Sequence, residues 1–203
     1  MEKNNILTIL EKYNNYLLDV RNFSNITITS YINALKIFLN FIKQYKNIEQ
    51  IDFDILINIS SSDIYSFLIY LNMYRNNSPK SRQKKLSAIK CFYNWLYTCN
   101  YSICKKLENP TESIIIHLEK YKEAKCLTLR ETKKLSNIFT LENSKTYIRD
   151  NTIISIFLNC GLRISELVYL NISNIDLKNK SILVFGKGNK ERTVPFNKNV
   201  ENN

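Results

Sequence analysis

The chain has 203 residues and a formal net charge of +11 at pH 7, and 44% of its residues are hydrophobic. This length can bury a real core as one large domain or two small ones, which excludes a disordered polypeptide. Only three Gly and three Pro are present, which favours helices over many short strands. We find no signal peptide and no apolar run long enough to cross a membrane, so we expect a cytoplasmic protein without membrane partners.

The five cysteines are an odd number and lack the paired spacing of a metal site. Most have apolar neighbours, which predicts buried free thiols in a reducing compartment. We therefore expect no metal site built from these cysteines. The cysteines are Cys91, Cys99, Cys104, Cys126 and Cys160.

Four helices are predicted before Pro110, each with apolar residues recurring on one face. The first covers about 5–20, and the second follows the cap candidates Ser24 and Asn25. Ser62 is expected to cap the third helix. The fourth runs from about 79 to 98, with a proline in its first turn, where proline is tolerated. Four such helices with short connections indicate a compact all-α bundle.

The segment 100–127 is predicted to be a connector, because Asn109 and Pro110 should break any helix. A short β-like run of three isoleucines, 114–116, lies inside it. The resulting division is a helical domain at 1–107, a linker at 108–127 and a second domain at 128–203.

The second domain is predicted to begin with a helix from the capping-box pair Thr128 and Glu131 to about residue 139. A further helix is predicted at about 147–159 and ends at Gly161, a good C-cap residue. The remaining predicted elements are a short helix at 165–170, strands at 181–185 and 192–196, and a connecting turn at 187–190. The whole chain is thus predicted to be mainly α with a small β-hairpin.

The positive charge is concentrated in one stretch of the sequence. Some of the lysine excess can reflect AT-rich codons, because Asn, Lys, Ile and Tyr are all abundant. Base composition does not explain why residues 75–106 contain eight basic residues and no acidic one. This stretch favours a polyanionic partner. The eight are Arg75, Lys80, Arg82, Lys84, Lys85, Lys90, Lys105 and Lys106.

The fourth helix is predicted to have two opposite faces, one apolar and one basic. Leu86, Ile89 and Tyr93 lie on the apolar side, which can pack while the other side contacts phosphates. The alternative is an ordinary solvated helix face. The candidate DNA-binding residues of this helix are Lys80, Arg82, Lys84, Ser87 and Lys90.

Arg163 follows a predicted helix end inside an apolar neighbourhood, where an arginine needs a partner. Glu166, three residues later, can hold the guanidinium if the local turn is helical. An arginine fixed in this way presents a planar fork to two phosphate oxygens. A purely structural Arg–Glu pair explains the spacing equally well.

Lys187 lies at the tip of the predicted hairpin, between Gly186 and Gly188. A lysine at this position can reach into a groove and deliver a proton to a leaving oxygen. The alternative is an ordinary polar turn. Lys190 in the same turn is a further candidate for DNA contact.

These motifs together closely resemble the tyrosine recombinases, a family that includes Xer-type recombinases and phage integrases. The matching catalytic-domain segments are 161–167 (GLRISEL), 175–176 (ID) and 186–195 (GKGNKERTVP). Residues 24–35 resemble the second helix of the family's core-binding domain. Residues 86–93 with Asn109 and Pro110 resemble its last helix and linker.

The resemblance implies a SAM-like helical core-binding domain followed by the first part of a catalytic domain, clamped around double-stranded DNA. The family cleaves one strand through a tyrosine, forms a 3′-phosphotyrosyl link, and uses no metal or nucleotide. It acts as a tetramer on two DNA sites, which implies a homo-oligomer. By matching position, Arg163 is the first catalytic arginine, Lys187 the general acid and Glu166 the supporting carboxylate.

Several residues of the family pattern do not occur after the hairpin. The sequence has no His-x-x-Arg box there, its single histidine is His117, and no tyrosine follows Tyr169. A core or surface role is the better interpretation for Tyr169, and a linker role for His117. We therefore expect a C-terminally truncated recombinase that cannot cleave DNA alone, with uncovered apolar surface and low stability in residues 128–203.

Two other functions remain open at this point. One is a non-catalytic DNA-binding module that occupies recombination sites or modulates an intact recombinase. The other is a helical protein-interaction domain with incidental basic charge, which the motif match makes the weakest of the three.

Overall fold

The computed structural model describes residues 6–99, 108–116, 125–138, 146–186 and 190–201. The chain divides into two compact units, Met1–Tyr121 and Lys122–Asn203. The described elements are mainly helical with a small antiparallel sheet, which confirms the predicted fold class.

In its described residues, the first unit contains the four predicted helices and one additional short helix. The helices are α1 (Ile6–Asn15, continued by a π-helical turn at Tyr16–Val20), α2 (Asn25–Tyr45), α3 (Phe53–Ile57), α4 (Ser61–Met73) and α5 (Pro79–Cys99). We did not predict α3, because five residues are too few to show helical periodicity. Its start is fixed by Asp52, whose carboxylate accepts a hydrogen bond of 2.9 Å from the backbone N–H of Ile55.

The N-terminus of α4 differs from the prediction. Ser60, not Ser62, is the N-cap, and its hydroxyl accepts from the backbone N–H of Asp63 at 3.2 Å. The Asp63 carboxylate accepts in return from the Ser60 N–H at 2.9 Å, which completes a capping box. The same carboxylate also pairs at 2.8 Å with Lys46, the C-cap residue of α2, so the start of α4 is tied to the end of α2.

An aromatic-rich core holds the first unit together. Tyr13, Phe38, Phe67 and Phe92 are fully buried at its centre, where Tyr13 and Phe92 meet edge to face with ring centroids 5.1 Å apart. The prediction of a β-like run at 114–116 is wrong. These residues form no strand: Ile114 is fully buried in this core, Ile116 packs partly against it, and Ile115 is 69% exposed.

The second unit combines helices with a three-stranded antiparallel sheet of order β1-β2-β3. Its helices are α6 (Leu129–Ile138), α7 (Tyr147–Cys160), α8 (Ile164–Val168) and α9 (Lys198–Glu201), and its strands are β1 (Ile175–Asp176), β2 (Ser181–Phe185) and β3 (Glu191–Pro195). The predicted hairpin corresponds to β2 and β3, in which Val184 lies opposite Arg192. Among the described residues of this unit, the buried apolar core is small and contains Ile156, Leu162, Ile182, Val184 and Phe196.

Two predicted helix boundaries of the second unit are confirmed by their hydrogen bonds and dihedral angles. The Thr128 N–H donates to the Glu131 carboxylate at 2.8 Å, and the Glu131 N–H donates to the Thr128 hydroxyl at 3.3 Å, as a capping box requires. Gly161 ends α7 with φ of 61° in the left-handed region, where a residue without Cβ is not strained.

The prediction of buried cysteines is wrong for the cysteines that the structure describes. Cys99 and Cys126 are exposed, while Cys91 and Cys160 are half-buried. Sequence neighbours did not indicate burial here, because Cys99 and Cys126 lie at or beyond helix ends. Cys104 lies outside the described residues.

Large apolar side chains are exposed on both units, so the uncovered surface expected for residues 128–203 stays a prediction. Those of the second unit are Leu127, Leu129, Ile148, Ile164, Val168, Tyr169, Ile172, Leu177 and Phe185. The low stability inferred for this part of the chain stays a prediction.

In the part of the chain that the structure describes, no helix has both the length and the apolar character needed to cross a membrane.

Candidate phosphate-binding and nucleic-acid-binding sites

The α5 helix has the two opposite faces that its sequence predicted. Leu86, Ile89 and Tyr93 are buried at 1% exposure or less. Lys80 and Lys84 lie on the exposed side of the helix. Because the apolar side is committed to the core, the basic side remains accessible to a polyanion.

The other three candidates on α5 are only half-exposed. The Ser87 hydroxyl donates to the carbonyl of Gln83 at 3.0 Å, so its hydrogen is engaged within the helix. The Arg82 Nε atom is buried and has no hydrogen-bond partner among the described residues. Lys90 is half-buried beside them.

Lys85 lies near other positive charges and pairs with a neutral hydroxyl. Burial lowers the pKa of its ammonium group, and the nearby charges of Arg75 and Lys84 lower it further. Its Nζ donates to the hydroxyl of Ser81 at 3.0 Å, a neutral partner. Sequence reasoning counted Lys85 among the basic residues without assigning it to the site.

In the second unit, Arg163 lies at the junction of two helices. Leu162 is buried, Arg163 itself has extended dihedral angles, and α8 begins at the next residue. Glu166 in the first turn of α8 accepts a hydrogen bond from the Arg163 N–H at 2.8 Å. It also accepts from Nη1 of the same arginine at 2.8 Å, so the predicted ion pair is present.

Glu166 has a second arginine partner that sequence reasoning did not identify. Arg192 on β3 donates from Nη1 to Oε1 at 2.6 Å and from Nη2 to Oε2 at 2.8 Å. The alternation of Arg192 with Val194, both half-buried on β3, is the signal that could have placed this arginine on the inner side of the strand.

The two arginines strongly stabilise the ionised form of Glu166. Hydrogen bonds from Arg192, then from the Arg163 backbone, lower the pKa of this carboxyl from its ordinary 4.5 to about 2, against an opposing effect of burial. The same pairing raises the pKa of Arg192. At neutral pH the cluster therefore holds one negative and two positive charges.

Arg163 is the accessible member of this cluster. Its side chain is 67% exposed, whereas that of Glu166 is 2% exposed. Among the described residues, the Arg163 guanidinium is held only through Nη1, which leaves its Nε and Nη2 able to donate to an anion. A concavity of ≈ 360 Å³ adjoins it, lined among others by Ser165, Tyr169 and Gly186.

The hairpin candidates are only partly described. Lys187 lies outside the described residues. Lys190 is exposed, and its carbonyl accepts from the Gly186 N–H at 2.7 Å, which closes the base of the turn. Tyr169 is 78% exposed just after α8, which agrees with a surface role.

Metal chemistry finds no support in the described part of the chain, where no group of three His, Cys, Asp or Glu side chains could hold an ion. The absence of a cofactor stays a prediction.

The fold and this site together define a class of two-unit, mainly helical proteins with an arginine-based site suited to an anion.

The sequence identifies the particular family. Residues 10–99 match the phage integrase N-terminal SAM-like domain, and residues 125–202 match the phage integrase family itself. The two matches together cover most of the chain, so the chain belongs to the phage integrase family and is similar to its Xer-type members.

Curated relatives agree with this assignment. The chain is 35% identical over 201 residues to the tyrosine recombinase XerC of Caldanaerobacter subterraneus subsp. tengcongensis, covering 93% of this chain and 55% of the relative. It is 28% identical over 204 residues to the tyrosine recombinase XerC of Escherichia coli, covering 95% and 60%. The chain thus spans somewhat more than half the length of these relatives.

Solved structures of similar fold include one recombinase complex and one integrase complex. One is the XerH site-specific recombinase bound to palindromic difH substrate, with a TM-score of 0.66 and 24% identity over 95% of this chain and 54% of that one. Another is the Tn1549 transposon integrase in complex with circular intermediate DNA, with a TM-score of 0.65 and 19% identity over 96% and 62%. At these identities the likeness shows the fold alone.

Proposed function

We propose that this chain binds double-stranded DNA as part of a site-specific tyrosine recombinase. The basic face of α5 would contact the backbone through Lys80, Arg82, Lys84 and Lys90, with Ser87 as a further candidate. The relatives named as recombinases, and the similar folds solved on DNA, support this assignment.

The observation that carries the proposal is the state of Arg163. One of its nitrogens is fixed by a buried carboxylate, while the rest of the guanidinium is exposed beside a concavity. A pre-oriented guanidinium with free donors suits two non-bridging oxygens of a phosphodiester. In this role Arg163 would stabilise charge on a pentavalent phosphate, with Glu166 supporting it and Lys187 donating a proton to the leaving oxygen. Lys190 would contact the DNA beside it.

We further propose that these 203 residues bind DNA without cleaving it. The sequence after the hairpin supplies neither a His-x-x-Arg box nor a tyrosine, so the proposed site has phosphate-stabilising groups and no nucleophile. Incubation with a nicked suicide duplex should give no covalent protein–DNA adduct. A stable adduct would refute this part of the proposal.

DNA binding itself is tested by the salt dependence of affinity for a 30-bp duplex, measured by fluorescence anisotropy. Neutralising about six phosphates gives a slope of log K against log salt near −5. Changing Lys80 and Lys84 together to Ala should weaken binding and make the slope shallower by about two. No binding by the wild-type chain at low salt would overturn the proposal.

The matched control changes two exposed lysines of the same unit, Lys12 on α1 and Lys43 on α2, to Ala. This variant loses the same charge but no proposed contact. Equal losses in both variants would mean that net charge, not the α5 face, determines binding.

The alternative function is a non-catalytic module that occupies recombination sites or modulates an intact recombinase. It shares the DNA-binding prediction and differs in its effect on an active enzyme. Adding the chain to an active Xer-type recombinase on its own target site should then change the rate of strand exchange at saturating DNA. Assembly of several copies on DNA is likewise a proposal, which sedimentation of the complex would test.

A further inference from the structure

We propose that Arg192 is a positioning residue that keeps Arg163 available to phosphate by neutralising Glu166. This inference rests on the proposed function of Arg163 in phosphate binding. It assigns to Arg192 an electrostatic task that is separate from its place in the sheet.

Glu166 makes different hydrogen bonds to its two arginine partners. Arg192 contacts both carboxylate oxygens, at 2.6 and 2.8 Å. Arg163 contacts one oxygen through its side chain and the other through its backbone N–H. The parallel two-bond pairing, which is the stronger arrangement, therefore belongs to Arg192.

The burial of the three side chains supports the same division. Glu166 is 2% exposed, Arg192 is 39% exposed and Arg163 is 67% exposed. A carboxylate so deeply buried requires a paired positive charge. Arg192, on strand β3, supplies that positive charge. Arg163 therefore uses only one side-chain nitrogen, Nη1, to bind Glu166, and its other guanidinium donors can bind an anion.

Charge counting gives the consequence for phosphate binding. With Arg192 present, the cluster carries a net charge of +1, and the excess is at the exposed Arg163. Without Arg192, the cluster is neutral, and Glu166 is free to bind Arg163 through both oxygens. The affinity for phosphate should then fall although Arg163 itself is unchanged.

The experiment measures affinity of the whole chain for a 30-bp duplex at 50 mM salt by fluorescence anisotropy. Arg192→Met should weaken binding about fivefold, the scale of one partly screened charge. Arg192→Lys, which keeps the charge, should remain within about twofold of wild type. Glu166→Gln together with Arg192→Met restores a net charge of +1 and should recover most of the lost affinity.

A merely structural role for Arg192 predicts a different pattern. Removing the second member of a structural contact would not restore binding. Glu166→Gln alone provides a test that does not depend on the folding of the Arg192 variants, because it leaves both arginines in place. It should bind DNA about fivefold more tightly than wild type, and unchanged or weaker binding would overturn the inference.

Arg149→Met is the matched control for lost charge. Arg149 pairs with Asp150 at 2.8 Å on the surface of the same unit, with 67% of its side chain exposed. This variant removes one arginine from an ion pair without touching the Glu166 cluster, and its effect on affinity should be much smaller than that of Arg192→Met. Equal effects would overturn the inference.

Arg163→Ala separates failure of the inference from failure of the proposed function. If Arg163→Ala leaves affinity unchanged while wild type binds, the assignment of Arg163 to phosphate is wrong. If Arg163→Ala weakens binding and Arg192→Met does not, only the role given to Arg192 is wrong.

Discussion

Arg192 and Glu166 lie 26 residues apart in the sequence and are joined by two hydrogen bonds of 2.6 and 2.8 Å. The contact links strand β3 to the first turn of helix α8. It therefore fixes the hairpin against the segment that carries Arg163. In a unit with a small apolar core, such a polar link is expected to matter for stability as well as for the site.

The stability of the second unit should depend on pH through Glu166. Its pKa is lowered from 4.5 to about 2 in the folded chain, so the ionised carboxylate favours folding. This contribution is complete above about pH 4.5 and is lost as the pH falls toward 2. The difference in urea midpoint between wild type and Glu166→Gln, followed by circular dichroism, should shrink over that range.

The comparison with Glu166→Gln isolates this carboxyl, because every other titrating group is common to both proteins. Glutamine can still accept the N-cap hydrogen bond, so the helix start is preserved. A difference that stays constant from pH 7 to pH 2 would contradict the assigned cause.

Replacing Gly161 with Ala should destabilise the second unit by about 1 kcal/mol, because an L residue is strained in the left-handed region. The φ of Gly161 is 61°, and an added Cβ would meet no described residue within 4 Å beyond its immediate chain neighbours, so backbone strain is the expected cost. Amide hydrogen exchange of α7 would report the loss. Gly161→Asn is the control and should cost less, since asparagine tolerates this conformation.

Tyr93→Phe should destabilise the first unit by about 1 kcal/mol. The buried Tyr93 hydroxyl donates to the carbonyl of Leu56 at 3.1 Å, which joins α5 to α3, and the substitution leaves that carbonyl with a long 3.5 Å hydrogen bond from the Ile59 N–H. Urea unfolding followed by the fluorescence of Trp95, which is 7% exposed, measures the effect.

Tyr97→Phe is the matched control for Tyr93→Phe. Tyr97 also donates to a backbone carbonyl, that of Glu108 at 3.2 Å, but at an exposed position where water can replace it. Its effect should stay within about 0.5 kcal/mol. Equal losses for the two variants would show that burial does not set the cost.

Much of the fold follows from local patterns in the sequence. Apolar periodicity predicted the long helices and the two faces of α5, and the capping residues Thr128 and Glu131 placed a helix start. The spacing of Arg163 and Glu166 predicted their ion pair. These features depend on residues a few positions apart, where helix geometry alone determines which side chains meet.

Other features were not predictable from local patterns. The helix α3 is too short to show a period, and the isoleucine run at 114–116 was mistaken for a strand although Ile114 belongs to the helical core. The exposure of Cys99 and Cys126 also escaped prediction. In each case the outcome depends on what packs against the segment, which its own residues do not encode.

The sequence by itself determined the family, the fold class, the basic helix face and the Arg163–Glu166 pair. Only the tertiary structure decided that Glu166 is shared with Arg192 and that Arg163 is its exposed partner. The pairing of β2 with β3 brings Arg192 to a carboxylate 26 residues away. A contact at that separation is set by strand register and burial, and neither can be obtained from the spacing of the two residues along the chain.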